Sequence, residues 1–365
     1  MNNFTTNIYE MKRDLINYSK KISVGLNKSS SKFVMDMIYG IARSNSCLIS
    51  EISRSLFENI KLRYTIERLC DNLQNMSNDE VNIIMSNYYN EIKDSFADDA
   101  IAIFDDSDIA KRYGKKFEDL DRIIDAVRNI TNRKTNMIFD RGYDNNKIID
   151  YVDRNNDCFV IRLDDKRNLL FKGKKQNTYS VAVKRKGKIR MCLLFDDNEE
   201  HIVYVSHTRA TLPYNKKEYQ MVTVYGLSEE RPLILLTNRE IKSKEDVIKV
   251  VRLYFYRWRV EEYFRSKKQE YEFENMRVRT LKSMNVLNKI LTILMGHISI
   301  LAEEIDRKLL SIKIIERSKS LRGKILIWLS QISRGIEKIL SYAQSGIKEW
   351  QKIEVREKYK QLSLL

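Results

Sequence analysis

The chain has 365 residues, of which 43% are hydrophobic and 32% are charged. That composition is too apolar for a disordered chain and supplies at least one sizeable core. With 66 Lys and Arg against 50 Asp and Glu, the formal net charge is +16. So large a positive charge favours a polyanion partner, most simply nucleic acid, over the alternative of an inert basic surface.

Cysteine and histidine are too sparse to support several common kinds of site. The four Cys are scattered without a C-x-x-C pair, and the chain has only three His. This argues against a structural zinc site, a disulfide framework and a His-activated nucleophile. The most apolar run, residues 290–301, is shorter than the roughly 20 residues that cross a bilayer. We therefore expect a soluble, cytoplasmic protein with no membrane partner.

The N-terminal part of the chain, residues 1–98, has apolar positions every three or four residues and is predicted to be helical. Within it, residues 47–73 contain two short amphipathic helices around a polar break. This arrangement fits a DNA-binding helix-turn-helix, and it fits an ordinary pair of helices in a bundle equally well. In the first case the exposed recognition face would carry Arg63, Tyr64, Thr65 and Arg68.

After residue 98 the pattern of apolar residues changes from helical spacing to short apolar runs. Short apolar runs bounded by polar residues predict buried strands at 100–104, 137–139, 158–161 and 233–236. Alternating β-rich stretches with turn signals fill residues 179–230, the first of them a predicted strand at 179–185. These runs predict an antiparallel insertion within the mixed sheet of an α/β core.

Helices return after the last predicted strand. Residues 243–246 resemble a capping box, with Ser243 at the N-cap position. One long helix is predicted to follow, from about residue 244 to about residue 268. Further helices follow from residue 281. We therefore divide the chain into an N-terminal helical region (1–98), an α/β domain (99–310) and a C-terminal helical region (311–365).

Two aspartates stand at strand ends, where open α/β sheets build their sites. Asp105 follows the strand at 100–104, and Asp140 follows the strand at 137–139. Asp106 and Asp108 compete with Asp105 for the same role. We favour Asp105 because it follows the apolar strand directly and because Asp106 would face the other way on a continued strand.

A third acid, Glu261, lies in the long predicted helix. At about 100° per residue, Tyr254, Arg257, Glu261 and Lys268 project from one face within roughly 60°, and Arg265 borders that face. A carboxylate among basic groups and a tyrosine hydroxyl can hold a divalent cation while the basic groups bind a phosphate. The alternative is an exposed helix face of salt-bridged residues spaced four apart.

These residues carry a resemblance to a known family. The spacing of Tyr254, Arg257, Glu261 and Lys268 is that of the Y-(2)-R-(3)-E-(6)-K signature of bacterial insertion-sequence DDE transposases, which have an RNase H-like core. Residues 105–111 and 140–143 are similar to the first-Asp and second-Asp strands of that family. The resemblance extends over roughly residues 41–301.

The resemblance implies a catalytic triad and its metal. Asp105, Asp140 and Glu261 would be both the catalytic carboxylates and the ligands of two Mg²⁺ ions, which Mn²⁺ can replace. It also implies an RNase H-like fold with a β insertion, as the sequence pattern places it. The implied activity is metal-dependent strand cleavage at transposon ends, followed by strand transfer into target DNA.

The resemblance also implies DNA contacts. Tyr254, Arg257 and Lys268 would engage phosphates near the cleaved end, and we assign Arg265 to DNA binding as well. Arg141 either contacts DNA or orients Asp140 through a salt bridge.

The expected partner is double-stranded DNA, both the terminal inverted repeats and the target. A homodimer is expected in the DNA complex because paired ends need at least two protomers, and the protein would be associated with the bacterial nucleoid. Two other functions remain open: a structure-specific nuclease on the same core, and a non-catalytic DNA-binding protein derived from a transposase.

Overall fold

The computed structural model of the protein describes most of the chain. The described residues are 2–95, 100–105, 120–131, 134–194, 200–228, 231–303, 314 and 328–347. The competing candidates Asp106 and Asp108 lie outside them, as does most of the predicted C-terminal region 311–365.

Contacts divide the chain into two compact units, one of helices and one built around a sheet. The helical unit joins Met1–Ser95 to Arg265–Leu365, and the sheet unit is Phe96–Phe264. This grouping differs from the three regions expected from the sequence, because the helices after Arg265 pack with the N-terminal ones. The functional division into 1–98, 99–310 and 311–365 stays a prediction.

The helical unit is held together by amphipathic helices whose ends are fixed by side-chain caps. Asn27 accepts a hydrogen bond from the Ser30 amide, and Ser77 with Glu80 forms a capping box. The described α-helices are α1 (Asn2–Ile22), α2 (Lys28–Ser44), α3 (Ile49–Ser55), α4 (Leu62–Asn75), α5 (Asn78–Ile92), α11 (Leu281–Glu303) and α12 (Trp328–Ser341).

Helix α11 is long and apolar enough to cross a membrane by length and composition, over Leu281–Ala302. That stretch is longer than the apolar run expected from the sequence. More than half of its most apolar window is buried inside the protein, and the helix packs on α2, α4, α5 and α12. Burial of this kind is typical of the core helix of a globular unit.

The helix pair α3 and α4 occupies residues 47–73 as predicted, but its proposed recognition face is partly wrong. Thr65 is only 2% exposed and donates to a Glu58 carboxylate oxygen at 2.8 Å. Arg68 Nη1 lies 2.9 Å from Oδ2 of the fully buried Asp36. These two side chains are used inside the unit, whereas Arg63 and Tyr64 are exposed. DNA binding by this pair stays a prediction.

The described residues of the sheet unit form nine strands in one mixed sheet with the order β1-β2-β3-β9-β8-β7-β4-β5, in which β6 also pairs with β7. β1, β2 and β3 run parallel, and the remaining pairs are antiparallel. The strands are β1 (Ile101–Phe104), β2 (Asn136–Phe139), β3 (Cys158–Arg162), β4 (Asn168–Phe171), β5 (Lys174–Asn177), β6 (Ile189–Leu194), β7 (Glu200–Thr211), β8 (Glu218–Tyr225) and β9 (Leu233–Thr237).

Helices accompany both faces of this sheet. The described α-helices of the unit are α6 (Leu120–Thr131), α7 (Asn146–Arg154), α8 (Thr178–Val183), α9 (Lys244–Phe255) and α10 (Trp258–Arg265). Ile148 and Val152 of α7 belong to the core on one face, and Val247 and Val251 of α9 belong to the core on the other. The predicted α/β class with a mixed sheet is confirmed, and it is consistent with an RNase H-like core.

The insertion differs in detail from its sequence prediction. The expected strand at 179–185 is wrong, because Asn177 caps a short helix there by accepting a hydrogen bond from the Ser180 amide. The antiparallel part also begins earlier, with the hairpin of β4 and β5. Gly173 turns that hairpin with φ of +76°, a backbone conformation that favours glycine.

Candidate active site

The register of two parallel strands brings two of the predicted acids together. Phe104 on β1 is the partner of Phe139 on β2, and Asp105 and Asp140 are the next residues on the two strands. Neighbouring strands lie about 4.8 Å apart, so both aspartates leave the same edge of the sheet side by side. The sequence predicted the two strand ends, and the register makes them neighbours.

The long helix predicted from residue 244 to residue 268 is wrong. α9 ends at Phe255, and α10 begins at Trp258. Between them the Arg257 amide donates to the Tyr254 carbonyl at 3.0 Å, and the Val260 amide donates to the Arg257 carbonyl at 3.0 Å. These bonds span three residues, as in a 3₁₀ turn. The expectation that four side chains share one 60° helix face assumed a regular α-helix and therefore does not hold.

The turn nevertheless places Arg257 among all three predicted acids. Its Nη1 atom lies 2.7 Å from Asp105 Oδ2 and 2.9 Å from Glu261 Oε1, and its Nε atom lies 3.9 Å from Asp140 Oδ1. The Arg257 side chain is 11% exposed, and that of Glu261 is 50% exposed. Residues from β1, β2 and α10 thus converge on one buried guanidinium.

Tyr254 completes the group from the last turn of α9. Its hydroxyl donates to Asp140 Oδ1 at 3.2 Å, and its ring is buried in the core beneath α9. Burial raises the pKa of Tyr254 to about 12, and the charge of Asp140 adds to the effect. The phenol is therefore a hydrogen-bond donor at neutral pH and holds the Asp140 carboxylate in place.

Burial and the neighbouring charges shift the pKa values of Asp105 and Arg257. Burial raises the pKa of Asp105, an effect that Arg257 offsets and that the charges of Asp140 and Glu261 reinforce. For Arg257, burial lowers the pKa, but the surrounding Tyr254 and acidic groups raise it further than burial lowers it. The guanidinium is thus the positive charge that allows three carboxylates to lie together.

The other predicted DNA-binding residues lie in different surroundings. Arg141 is exposed, directly after Asp140, and forms no ion pair with it in the described part of the chain. The salt-bridge alternative for Arg141 is therefore wrong. Arg265 is exposed at the end of α10, where the helical unit begins. Lys268 belongs to the helical unit, in the π-helical turn Ser266–Glu270, and its Nζ pairs with Glu274 at 2.8 Å.

A cavity of about 510 Å³ adjoins the acids within the sheet unit. Tyr254, Arg257 and Arg141 line it. It is also lined by residues that the sequence analysis did not select as site residues: Arg162, His201, Arg231 and Trp258. Arg162 ends β3 and Arg231 precedes β9, so strand-end position was the one sequence signal that could have found them.

The donor set suits a hard divalent cation in its chemistry. Carboxylate oxygens are the ligands that Mg²⁺ prefers, and Asp105 and Glu261 approach each other closely enough to share one nitrogen atom of Arg257. Among the described residues, however, no group of three His, Cys, Asp or Glu side chains is arranged to hold a metal ion. In this arrangement the cation among the acids is the Arg257 guanidinium.

Comparison with known proteins adds one finding about the family. A family model described as the transposase DDE domain matches residues 114–295. The match contains Asp140, Tyr254, Arg257 and Glu261, and it begins after Asp105. No curated protein matches the chain.

Proposed function

Because the chain is a DDE-type transposase by the family to which residues 114–295 belong, we propose that it cleaves DNA at the ends of a mobile element and joins those ends to target DNA. Asp105, Asp140 and Glu261 are the catalytic carboxylates of this proposal. The observation that carries it is their convergence on Arg257 from three separate elements. A purely structural ion pair would need one acid, whereas this cluster gathers three.

The proposed chemistry is the same displacement carried out twice. In cleavage, a water oxygen attacks the phosphorus, the bond to the 3′ oxygen breaks, and that oxygen leaves as a 3′-hydroxyl. In strand transfer, the freed 3′-hydroxyl forms a new bond to a target phosphorus and displaces the target's 3′ oxygen, which takes up a proton. Two Mg²⁺ ions, or Mn²⁺, would supply nucleophile activation and stabilisation of the leaving oxygen when bound.

The residues of the chain have distinct roles in this scheme. Asp105, Asp140 and Glu261 supply the oxygen ligands, and Tyr254 orients Asp140 by its hydrogen bond. Arg257 can engage a DNA phosphate only by giving up carboxylate partners, so its role depends on another positive charge reaching the acids. Lys268, Arg141 and Arg265 are proposed as further phosphate contacts, which the exposure of both arginines supports.

The test is strand cleavage on a duplex that carries the DNA flanking this gene, with Mg²⁺ or Mn²⁺ present. Glu261→Gln keeps the shape of the side chain and removes its charge, so we expect it to abolish cleavage while DNA binding persists. Glu245→Gln, on the exposed first turn of α9, is the matched control and should cleave as the wild type does. Full cleavage by Glu261→Gln would refute the proposed triad.

A joining assay separates the proposed activity from its alternatives. A transposase links the freed ends to a second DNA molecule, a structure-specific nuclease releases ends without linking them, and a DNA-binding derivative does neither. We also propose that the protein works as a homodimer on paired ends and acts in the cytoplasm at the nucleoid. Size measurement of the complex with end DNA tests the dimer.

A further inference from the structure

The sheet unit contains a second, strongly basic cavity that the proposed chemistry does not use. Its volume is about 580 Å³, and it lies between the turn after α8, strand β7 and the start of α9. Its lining includes no acidic residue. Six of the lining residues are basic, namely Lys184, Arg185, Lys186, Lys188, Lys242 and Lys244.

Most of these charges have no partner to neutralise them. Lys186, Lys188 and Lys244 are exposed and form no ion pair in the described part of the chain. Arg185 Nε is buried and has no hydrogen-bond partner. Lys242 pairs with Glu240 at 2.9 Å, but both side chains are more than 70% exposed, where an ion pair is worth little. The cavity is therefore a concentration of unbalanced positive charge.

Hydrogen bonds to β7 hold the backbone of the turn that carries Arg185 and Lys188. Arg185 Nη2 donates to the His207 carbonyl at 2.7 Å, and the Lys188 amide donates to the Val205 carbonyl at 3.0 Å. At Gly187 an added Cβ would lie 2.6 Å from the backbone carbonyl carbon of Tyr204, so only glycine allows the turn to lie this close to β7. Like charges repel, and a turn that keeps them together without a counterion is preorganised for an anion.

The position of the cavity relative to the acids suggests which anion it takes. Lys244 opens α9, and Tyr254 lies in its last turn beside Asp140. Ten residues of α-helix cover about 15 Å. Phosphates along one DNA strand are spaced about 3.4 Å apart, so this distance corresponds to four or five nucleotides.

We propose that this basic cavity binds backbone phosphates of the same DNA duplex that is cleaved at the acids, about four to five base pairs from the scissile bond. The proposal rests on the proposed function, since it takes DNA as the substrate. It assigns Lys186, Lys188 and Lys244 as positioning residues that bind sequence-independently, because phosphate contacts fix register and carry no base information.

The experiment compares two variants with equal loss of charge. The cavity variant is Lys186→Gln/Lys188→Gln/Lys244→Gln. The control is Lys172→Gln/Lys174→Gln/Lys175→Gln, which changes exposed residues around the β4–β5 turn. Affinity for a fluorescent duplex of the end DNA is measured by anisotropy from about 50 to about 200 mM salt, without divalent metal. A Lys186→Glu single variant provides a second route if the triple variant does not fold.

The cavity variant should lose about tenfold or more in affinity, and its salt slope should fall by about 2 to 3, since each phosphate contact contributes about 0.9. The control should keep the wild-type slope. On duplexes lengthened stepwise from the cleavage position, wild-type affinity should rise as the duplex reaches about four to five base pairs, and the cavity variant should lack that rise.

The outcomes separate this inference from the function on which it rests. If the wild type fails to bind DNA, the proposed function falls and the inference falls with it. If the wild type binds and cleaves while the cavity variant matches the control, the inference alone is refuted. If the variant binds and cleaves ends normally but loses joining to a separate duplex, the cavity binds target DNA, which also overturns the assignment made here.

Discussion

Phe104 on β1 and Phe139 on β2 lie opposite each other in parallel register, with their rings stacked 4.7 Å apart. Both side chains are buried in the same core, and each directly precedes one of the two aspartates of the candidate site. The packing of this pair therefore fixes the strand ends from which Asp105 and Asp140 leave the sheet.

Removal of one ring should weaken both the fold and the site. Phe139 is 1% exposed, and truncation of a buried Phe to Ala costs about 3 to 5 kcal/mol. We expect Phe139→Ala to lower the free energy of unfolding by that amount in urea titrations followed by circular dichroism. Phe171→Ala, at a partly buried position beside the same core, should cost clearly less. Equal losses for the two variants would show that the stacked pair contributes no more to the free energy of unfolding than a partly buried Phe does.

The guanidinium of Arg257 should stabilise the site when no metal is bound. Arg257→Gln leaves Asp105, Asp140 and Glu261 without their shared cation, so their mutual repulsion should lower the melting temperature on the order of 5 °C. The same change should enlarge the stabilisation by Mg²⁺, because no side-chain cation then competes for the acids. Scanning fluorimetry with and without Mg²⁺ measures both effects.

Arg259→Gln is the matched control for that experiment, since Arg259 is exposed, its guanidinium lies over the Tyr256 ring, and it forms no ion pair with the three acids among the described residues. It should change neither the melting temperature nor the response to Mg²⁺. A Mg²⁺ response of Arg257→Gln no larger than that of the wild type would contradict the competition between the guanidinium and the metal.

As the pH is lowered, Mg²⁺ binding should begin to weaken at a pH above the pKa of a free aspartate. Burial raises the pKa of Asp105, so this carboxyl takes up a proton at a higher pH than the about 3.9 of a free aspartate. The protonated form cannot act as an anionic ligand, and stabilisation by Mg²⁺ should decline through that raised pKa. Melting temperatures with and without Mg²⁺ along a pH series give the midpoint. A midpoint at or below the free-aspartate value would count against the effect.

A second pH effect concerns stability and belongs to the helical unit. Burial lowers the pKa of Lys267 to about 8, while its Nζ donates to Asn288 Oδ1 at 2.8 Å and to Thr292 Oγ1 at 2.9 Å. Between this value and the about 10.4 of an unfolded lysine, the unfolded chain binds more protons than the folded one. The contribution of Lys267 to the free energy of unfolding therefore rises with pH across that interval.

Lys267→Met should remove this rise. The free energy of unfolding of the wild type should therefore increase relative to that of the variant by on the order of 2 kcal/mol between about pH 8 and about pH 10.5. Denaturant titrations at a series of pH values measure it. Lys282→Met, at an exposed position on α11, should show no such trend. A constant difference between wild type and Lys267→Met would mean that Lys267 keeps its proton when folded.

The ion pair of Arg68 and Asp36 should be a major support of the helical unit. Asp36 is fully buried, so Arg68→Met removes an ion-pair partner from an internal charge, at a cost of about 3 to 5 kcal/mol. The double variant Asp36→Asn/Arg68→Met should recover part of that loss. Arg63→Met breaks an exposed pair with Glu67 and should change stability by less than about 1 kcal/mol. Equal effects of Arg63→Met and Arg68→Met in urea titrations would contradict a stabilising ion pair between Arg68 and Asp36.

The sequence alone determined the features that depend on local pattern. A short apolar run followed by an acid marked the ends of β1 and β2, and the spacing of Tyr254, Arg257 and Glu261 marked the helical side of the site. Such signals survive because strand burial and an acid at a strand end are properties of a few consecutive residues. The α/β class and the presence of an antiparallel insertion before β9 followed in the same way, whereas the start of that insertion did not.

Only the tertiary structure decided how these pieces combine. The break at Tyr256 and Arg257 interrupts a segment whose periodicity reads as one helix, and the contacts of Arg257 with residues more than 100 positions away depend on strand register. Thr65 and Arg68 looked exposed because helical periodicity cannot show which polar residue meets a buried acid such as Asp36. Pairing across long sequence separation is set by packing and electrostatics of the whole fold, which no local window contains.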